Sequence, residues 1–180
     1  MCSFAAQWRD AFLHISHRRS GRRFPAKESF MIRPATLADV PEIAALMRQT
    51  ITVSVDASDD EKAIFLENTA ATLKWWKQHQ DHCVHLVATD DDMVTGVILV
   101  RDFWNLCSLF VDPAHQRRGI GRALVQAAIA ACRPRSERPV MRLNAARNAV
   151  PFYLAMGFTP IPGRDMLHGA TAMEFQFGVH

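Results

Sequence analysis

From residue 31 onward the chain alternates between stretches whose apolar residues run together or recur every second position and stretches where they recur every three to four. Residues 31–33 read as a short strand. Asp39 then precedes Glu42 by three positions, the spacing of a capping box, with Pro41 tolerated in the first turn and Val40, Ile43, Ala44 and Met47 on one helical face. After a loop over 53–57, Ser58 and Glu61 repeat that spacing ahead of a helix reaching Gln78, whose Ile64, Phe65, Leu73 and Trp76 form an apolar stripe. Residues 85–89 and 94–101 read as a hairpin around the acidic turn 90–92, and 105–111 as a third strand. Ile120, Leu124, Ala127, Ala128 and Ala131 mark a helix over 119–131 that Pro134 prevents from continuing. A strand over 140–145, a short helix from Asn148 to Gly157, and strands over 158–161 and 172–177 complete the pattern. The order β, α, α, β, β, β, α, β, α, β, β predicts an α/β (α+β) fold with a mixed central sheet flanked by helices.

Composition narrows the class. At 180 residues, with 49% hydrophobic and 22% charged, the chain fits one soluble domain and excludes disorder. No apolar run, residues 97–100 included, comes near the roughly 18 residues a membrane-spanning helix needs, so no membrane partner is expected. The formal charge of +3 is unevenly placed. Residues 1–30 hold six basic and two acidic side chains, a balance of +4, which leaves 15 basic against 16 acidic, or −1, for residues 31–180. The main domain therefore presents no basic surface to nucleic acid, and any such affinity belongs to the leader. Residues 1–30 lack the apolar core of a secretory signal; a flexible or partly helical basic N-terminal extension, translated upstream sequence with Met31 as the native start, a transit peptide and a basic docking arm are the competing readings. The domain is expected at 31–180. Cys2, Cys83, Cys107 and Cys132 form no CxxC pair, which points to a reducing, cytoplasmic setting. His79, His82, Cys83 and His85 carry metal-ligand chemistry, but they cross a helix end into a strand, where side chains diverge; no metal is expected.

The chemistry concentrates in Asp112-Pro-Ala-His-Gln-Arg-Arg-Gly-Ile-Gly-Arg122, where a buried strand runs into a glycine-containing turn and then a helix. Such a turn presents unpaired N–H groups and the positive end of the helix dipole, and Arg117, Arg118 and Arg122 add charge around it, so a phosphate or diphosphate site is predicted. A Walker loop is absent, because no Lys-Ser or Lys-Thr pair follows. A dinucleotide fingerprint is absent too, because the sixth position from Gly119 is Leu124.

Gln116-x-x-Gly119-x-Gly121, set between a Leu-Phe-Val-Asp-Pro strand end and an Ala-Leu-rich helix, resembles the acetyl-CoA diphosphate loop of the GNAT superfamily of N-acetyltransferases. Downstream, Asn148-Ala-Val-Pro-Phe-Tyr-Leu-Ala-Met-Gly-Phe158 resembles a second GNAT signature, with Pro151 in place of the usual alanine. The resemblance implies a sheet splayed between the fourth and fifth strands. It places the pantetheine arm along the backbone of Leu109, Phe110 and Val111, and the diphosphate on Gln116 and the N–H groups of Arg117, Arg118, Gly119, Ile120, Gly121 and Arg122. It also puts Asn148 and Phe152 against the arm. Acetyl-CoA is the implied co-substrate.

By the same resemblance Tyr153 is the general acid. A neutral amine attacks the thioester, a backbone N–H on the splayed strand holds the oxyanion, and Tyr153 protonates the departing sulfur. A phenol suits that role because it stays protonated at neutral pH, and Tyr153 is the one tyrosine beside eleven phenylalanines. Glu61, Asp56 and Asp102 are carboxylates on the substrate side, with none singled out as base; Asp56, Asp59, Asp60 and Glu61 border the acceptor cleft. His115 is a phosphate neighbour or a loop histidine, Cys107 a core thiol, and Trp75, Trp76, Phe103 and Trp104 pocket or core aromatics. The acceptor is a small-molecule or peptide amine and the protein a monomer or homodimer. Two alternatives stand at this point: a non-catalytic acyl-CoA sensor on the same fold, and a nucleic-acid-binding protein acting through the leader.

Overall fold

The computed structural model describes residues 30–165 and 170–178, so the expected extension lies outside the described residues apart from Phe30. Seven strands, β1 (Met31–Pro34), β2 (Cys83–Asp90), β3 (Met93–Arg101), β4 (Asn105–Val111), β5 (Val140–Ala145), β6 (Thr159–Asp165) and β7 (Thr171–Gln176), form one sheet in the order β1-β2-β3-β4-β5-β7-β6. Helices α1 (Val40–Ser54) and α2 (Asp59–Gln78) cover one face, and α3 (Ile120–Cys132) the other. Alternate residues of the central strands feed two cores. Leu86, Ile98 and Val100 pack with Leu124 and Ala128 of α3, whereas Val87, Val97 and Leu99 pack with Ile43, Met47 and Trp76. That two-sided burial is why β2 and β3 read as nearly continuous apolar runs. Gly96 brings α3 close: a Cβ there would stand 2.8 Å from Ile120 Cγ2 and 3.0 Å from Leu124 Cδ1. Among the described residues no helix is long and apolar enough to cross a membrane.

The first helix starts differently from the expected Asp39–Glu42 box. Asp39 is instead recruited backward, accepting from the Thr36 N–H at 2.7 Å and taking both Arg33 guanidinium nitrogens at 2.7 and 2.8 Å. A 3-10 turn (Leu37–Asp39) therefore precedes α1, and the Glu42 carboxylate accepts from Val94 N–H at 3.3 Å on the neighbouring hairpin. A bidentate guanidinium is a stronger partner than a helix N–H, which explains the exchange. The expected Ser58–Glu61 capping box is present, with Ser58 N–H donating to Glu61 Oε2 at 2.8 Å. The acidic hairpin turn closes through Asp91 and Asp92 at φ 46° and 65°, a left-handed pair that aspartate tolerates.

The neighbours β4 and β5 run parallel and pair at one register position, Asn105 with Arg142, reinforced by Arg142 N–H donating to the Trp104 carbonyl at 2.7 Å. Toward their C-terminal ends the two strands part. The sheet thus opens a wedge in its middle, flanked by backbone edges that have no strand partner.

Candidate active site

The wedge is a cavity of about 880 Å³ whose walls come from β4, β5, α2, the loop entering α3 and the short helix α4 (Val150–Ala155). On β4 the pairing with β3 slips: Leu99 faces Ser108 while Val100 faces Leu106, so Cys107 is an extra residue opposite the bond between them. Such a bulge bends the strand and re-aims the groups around it, here at the cavity wall. Cys107 lines the cavity and is only half-buried, a correction to its reading as a core residue. Burial nonetheless pushes its thiol pKa up, which disfavours a thiolate.

At the C-terminal end of β4 the chain makes two left-handed residues, Arg117 at φ 63° and Gly119 at φ 84°, before entering α3. Alternating the hand of the backbone turns successive N–H groups toward one point. Ala123 N–H is the first of α3 to find a backbone acceptor, on Gly119 at 3.0 Å; among the described residues the N–H groups of Gly119, Ile120, Gly121 and Arg122 donate to none. Gly121 is bare backbone on the cavity wall, and a Cβ there would meet Phe152 Cζ at 3.5 Å, an ordinary contact. The chain's own packing does not require that glycine.

Of the residues nominated from sequence, Leu109, Phe110, Val111, Arg117, Gly119, Ile120, Gly121, Arg122 and Phe152 lie on the cavity wall with Tyr153. Gln116 and Asn148 lie there too, but their amides are engaged. Gln116 Nε2 donates to the Val111 carbonyl at 3.2 Å and to Ser54 Oγ at 3.3 Å, and Asn148 Nδ2 donates to the Ser54 carbonyl at 2.7 Å. The end of α1 is thereby tied to both rims of the wedge, and the helix runs two residues, Val53 and Ser54, into the stretch expected as loop. Arg118 turns outward, with its guanidinium 3.6 Å from Asp90.

Tyr153 sits on a two-turn element that the sequence punctuates at both ends: Pro151 is at the second helical position, and Gly157 follows at φ 88°. Phe152 and Phe158 pack against its ring edge-to-face, with centroids 5.2 and 5.4 Å away. The residue is 6% exposed, and its hydroxyl has no hydrogen-bond partner among the described residues. Burial raises its pKa above the ordinary 10, so the phenol carries its proton across the physiological range.

Several sequence expectations separate here. Of the three carboxylates, Glu61 lines the cavity; Asp56 does not, and Asp102 lies in the β3–β4 turn at the opposite end of β4 from the glycine loop. His115 is on the wall, with Nδ1 3.1 Å from Asp112 Oδ2. None of the four aromatics lines the cavity: Trp76 is core, while Trp75, Phe103 and Trp104 carry the guanidinium groups of Arg101, Arg135 and Arg138 at 4.0, 4.0 and 3.8 Å. His79 stacks on Trp75 and His85 is buried edge-on to Trp76, and among the described residues no cluster arranged for a metal is present. Sequence reasoning missed the wall built by α2. Ile64 and Phe65, expected in the core, are half-buried and face the cavity with Asn68, Thr69 and Thr72. Their periodicity alone does not distinguish a core stripe from a cavity stripe.

Comparison with known families places this architecture. The family model described as an acetyltransferase (GNAT) domain matches residues 53–173, about two-thirds of the chain, and the protein belongs to that family. Solved structures with the same fold include a GCN5-related N-acetyltransferase from Rhodopseudomonas palustris, 18% identical, with TM-score 0.71 over 87% of this chain and 99% of that one. The PaiA N-acetyltransferase from Thermoplasma acidophilum in complex with coenzyme A is 19% identical, with TM-score 0.67 over 82% and 99% of the two chains. The putative acetyltransferase YncA from Salmonella typhimurium with acetyl-CoA is 25% identical, with TM-score 0.62 over 84% and 96%. No functionally curated protein matches the chain significantly.

Proposed function

We propose that the protein transfers the acetyl group of acetyl-CoA to a primary amine by direct attack. The observation that supports this best is the convergence, on one cavity, of the unpaired N–H groups at the start of α3 and the protonated hydroxyl-bearing Tyr153. The donor set suits the co-substrate: N–H groups at a helix N-terminus, with Arg117 and Arg122 on the same wall, match a diphosphate. Acetyl-CoA supplies an acyl group already activated as a thioester.

The chain's own residues divide the remaining work. Gly119 to Arg122 hold the diphosphate through backbone donors that need no reorganisation. The edge of β4 beyond its contact with β5 offers strand-like pairing to the amides of the pantetheine arm. An N–H on that edge stabilises negative charge developing on the carbonyl oxygen. As the amine's new C–N bond forms and the C–S bond breaks, Tyr153 donates its proton to the departing sulfur, and the proton the acylated nitrogen releases restores the phenol; burial among Phe152 and Phe158 keeps that proton in place until it is needed. Holding donor and amine in one wedge supplies orientation.

A thiol-release assay with acetyl-CoA and a broad amine panel tests the reading. Release of coenzyme A dependent on an added amine is the expected result. Tight acetyl-CoA binding with no release in the presence of any amine would favour the sensor alternative.

A further inference from the structure

A pair of titratable groups, Asp112 and His115, sits where β4 gives way to the glycine loop, apart from the residues proposed to carry acetyl transfer. The turn Pro113–His115 folds back on Asp112. Asp112 Oδ1 accepts from Ala114 N–H at 2.9 Å, and the Asp112 carbonyl accepts from His115 N–H at 2.8 Å. One carboxylate oxygen thus serves the turn; the other, Oδ2, accepts from His115 Nδ1–H at 3.1 Å. Both side chains are mostly buried, with 16% of the imidazole and 17% of the carboxylate side chain exposed, so the ring is held in one orientation. Its second nitrogen, Nε2, has no hydrogen-bond partner among the described residues and is not sealed from solvent. His115 lines the cavity together with Arg117, Gly119 and Arg122.

An imidazole engaged in this way meets an anion in only one form. With Nδ1–H committed to a carboxylate, the neutral ring presents a lone pair at Nε2 and repels a phosphate oxygen, whereas the imidazolium presents an N–H there and donates to it. We infer that His115, oriented by Asp112, is a ligand of the coenzyme diphosphate and takes up a proton as the diphosphate binds. A proton passes from solvent to Nε2, and a charge-assisted N–H···O bond forms to a phosphate oxygen. The charged groups around the ring are Asp112 in its own turn, Arg117 and Arg122 on the cavity wall, and Glu61 on α2. Arg118 turns to Asp90, and the residues that α1 presents here, Thr50, Ile51 and Ser54, carry no charge. Because the bound state favours the protonated ring, the added affinity is complete at acidic pH and is lost as pH rises. The inference rests on the acetyl-CoA reading above and adds a proton to the coenzyme's ligand set.

Calorimetric titration of the full chain with acetyl-CoA and with 3′-dephospho-CoA, each in two buffers of different ionisation enthalpy at pH 7.5, counts the protons exchanged. The wild type should take up a fraction of a proton with either probe, and His115→Gln none. Between pH 6 and pH 9 the wild-type affinity for acetyl-CoA should fall about tenfold more than that of the variant, the linkage that one phosphate contact produces. His115→Asn gives the same comparison with a shorter neutral side chain, and thermal melting checks that both variants fold. Binding to the wild type without proton uptake, or uptake that survives in both folded variants, overturns the inference and leaves the loop as the coenzyme site. Uptake with acetyl-CoA but not with 3′-dephospho-CoA overturns it as well, because the proton then belongs with the 3′-phosphate. No binding of either probe by the folded wild type overturns the acetyl-CoA reading itself, and this inference with it.

Discussion

The two walls of the cavity are built by opposite means. One wall, the proposed diphosphate side, is backbone: a left-handed Arg117, a left-handed Gly119 and four N–H groups at the head of α3 with no backbone acceptor among the described residues. The other wall is side chains projecting from a regular helix, α2, whose first turn is closed by the Ser58–Glu61 capping box. A backbone site depends on glycine positions and on where a helix begins, so its chemistry is the same whatever side chains surround it. A side-chain wall changes character with each substitution.

The largest expected effect loosens the α2 wall by acid. His85 lies beneath α2, edge-on to Trp76 with centroids 4.2 Å apart, and among the described residues both ring nitrogens lack hydrogen-bond partners. Burial lowers its pKa to about 4 from 6.5. Between those values the unfolded chain binds the proton and the folded chain refuses it. Its contribution is complete above about pH 6.5 and is lost as pH falls toward 4, about 3 kcal/mol in all. Urea unfolding at pH 7 and pH 4.5 should show that fall in the wild type and a flatter dependence in His85→Leu; equal slopes would sink the assignment. Asp39, which Arg33 holds well below the usual carboxylate range, titrates at more acidic pH and does not confuse the comparison.

Tyr153→Phe tests the junction of the two walls. It should lower turnover at least about tenfold, or about 1.4 kcal/mol on the barrier, with acetyl-CoA affinity by calorimetry unchanged. Turnover at the wild-type rate would remove Tyr153 from proton transfer. On the diphosphate side, Gly119→Ala forces a Cβ into φ 84° and should cost about 1 kcal/mol through backbone conformation alone, since nothing lies within 4 Å of that Cβ. Calorimetry should show weakened coenzyme A binding; full affinity would mean the loop tolerates another backbone path. The smallest effect is expected at Ile64. Its half-buried side chain loses little packing on change to alanine, under about 1 kcal/mol in thermal denaturation, while KM for an apolar amine rises; a large stability loss with unchanged KM would return Ile64 to the core.

Most elements were legible because their signals are local. The strands 105–111 and 140–145, the Ser58–Glu61 box and the stop at Gly157 need nothing beyond neighbours in sequence, and each appears as read. The misreadings have a common origin in partners from elsewhere in the chain. Asp39 was assigned to its own helix, whereas Arg33 on β1 captures it. Local pattern alone makes residues 53 and 54 loop, whereas Gln116 and Asn148 hold the end of α1 by Ser54. Phe103 and Trp104 suit a pocket by type, yet they lie at the opposite end of β4 from the glycine loop, under Arg135 and Arg138.

By itself the amino-acid order determined the alternation of strands and helices, the glycine turn that frees N–H groups at Gly119 to Arg122, and the position of a lone tyrosine on a short helix bounded by Pro151 and Gly157. Those features follow from steric and hydrogen-bonding rules that act over a few residues. Only the tertiary structure decided that β4 and β5 part after Asn105, that Cys107 bulges into the opening, and that Glu61, Ile64 and Phe65 face it. A helical stripe is apolar or polar in the sequence, but whether it meets another element or an empty wedge depends on where distant strands diverge.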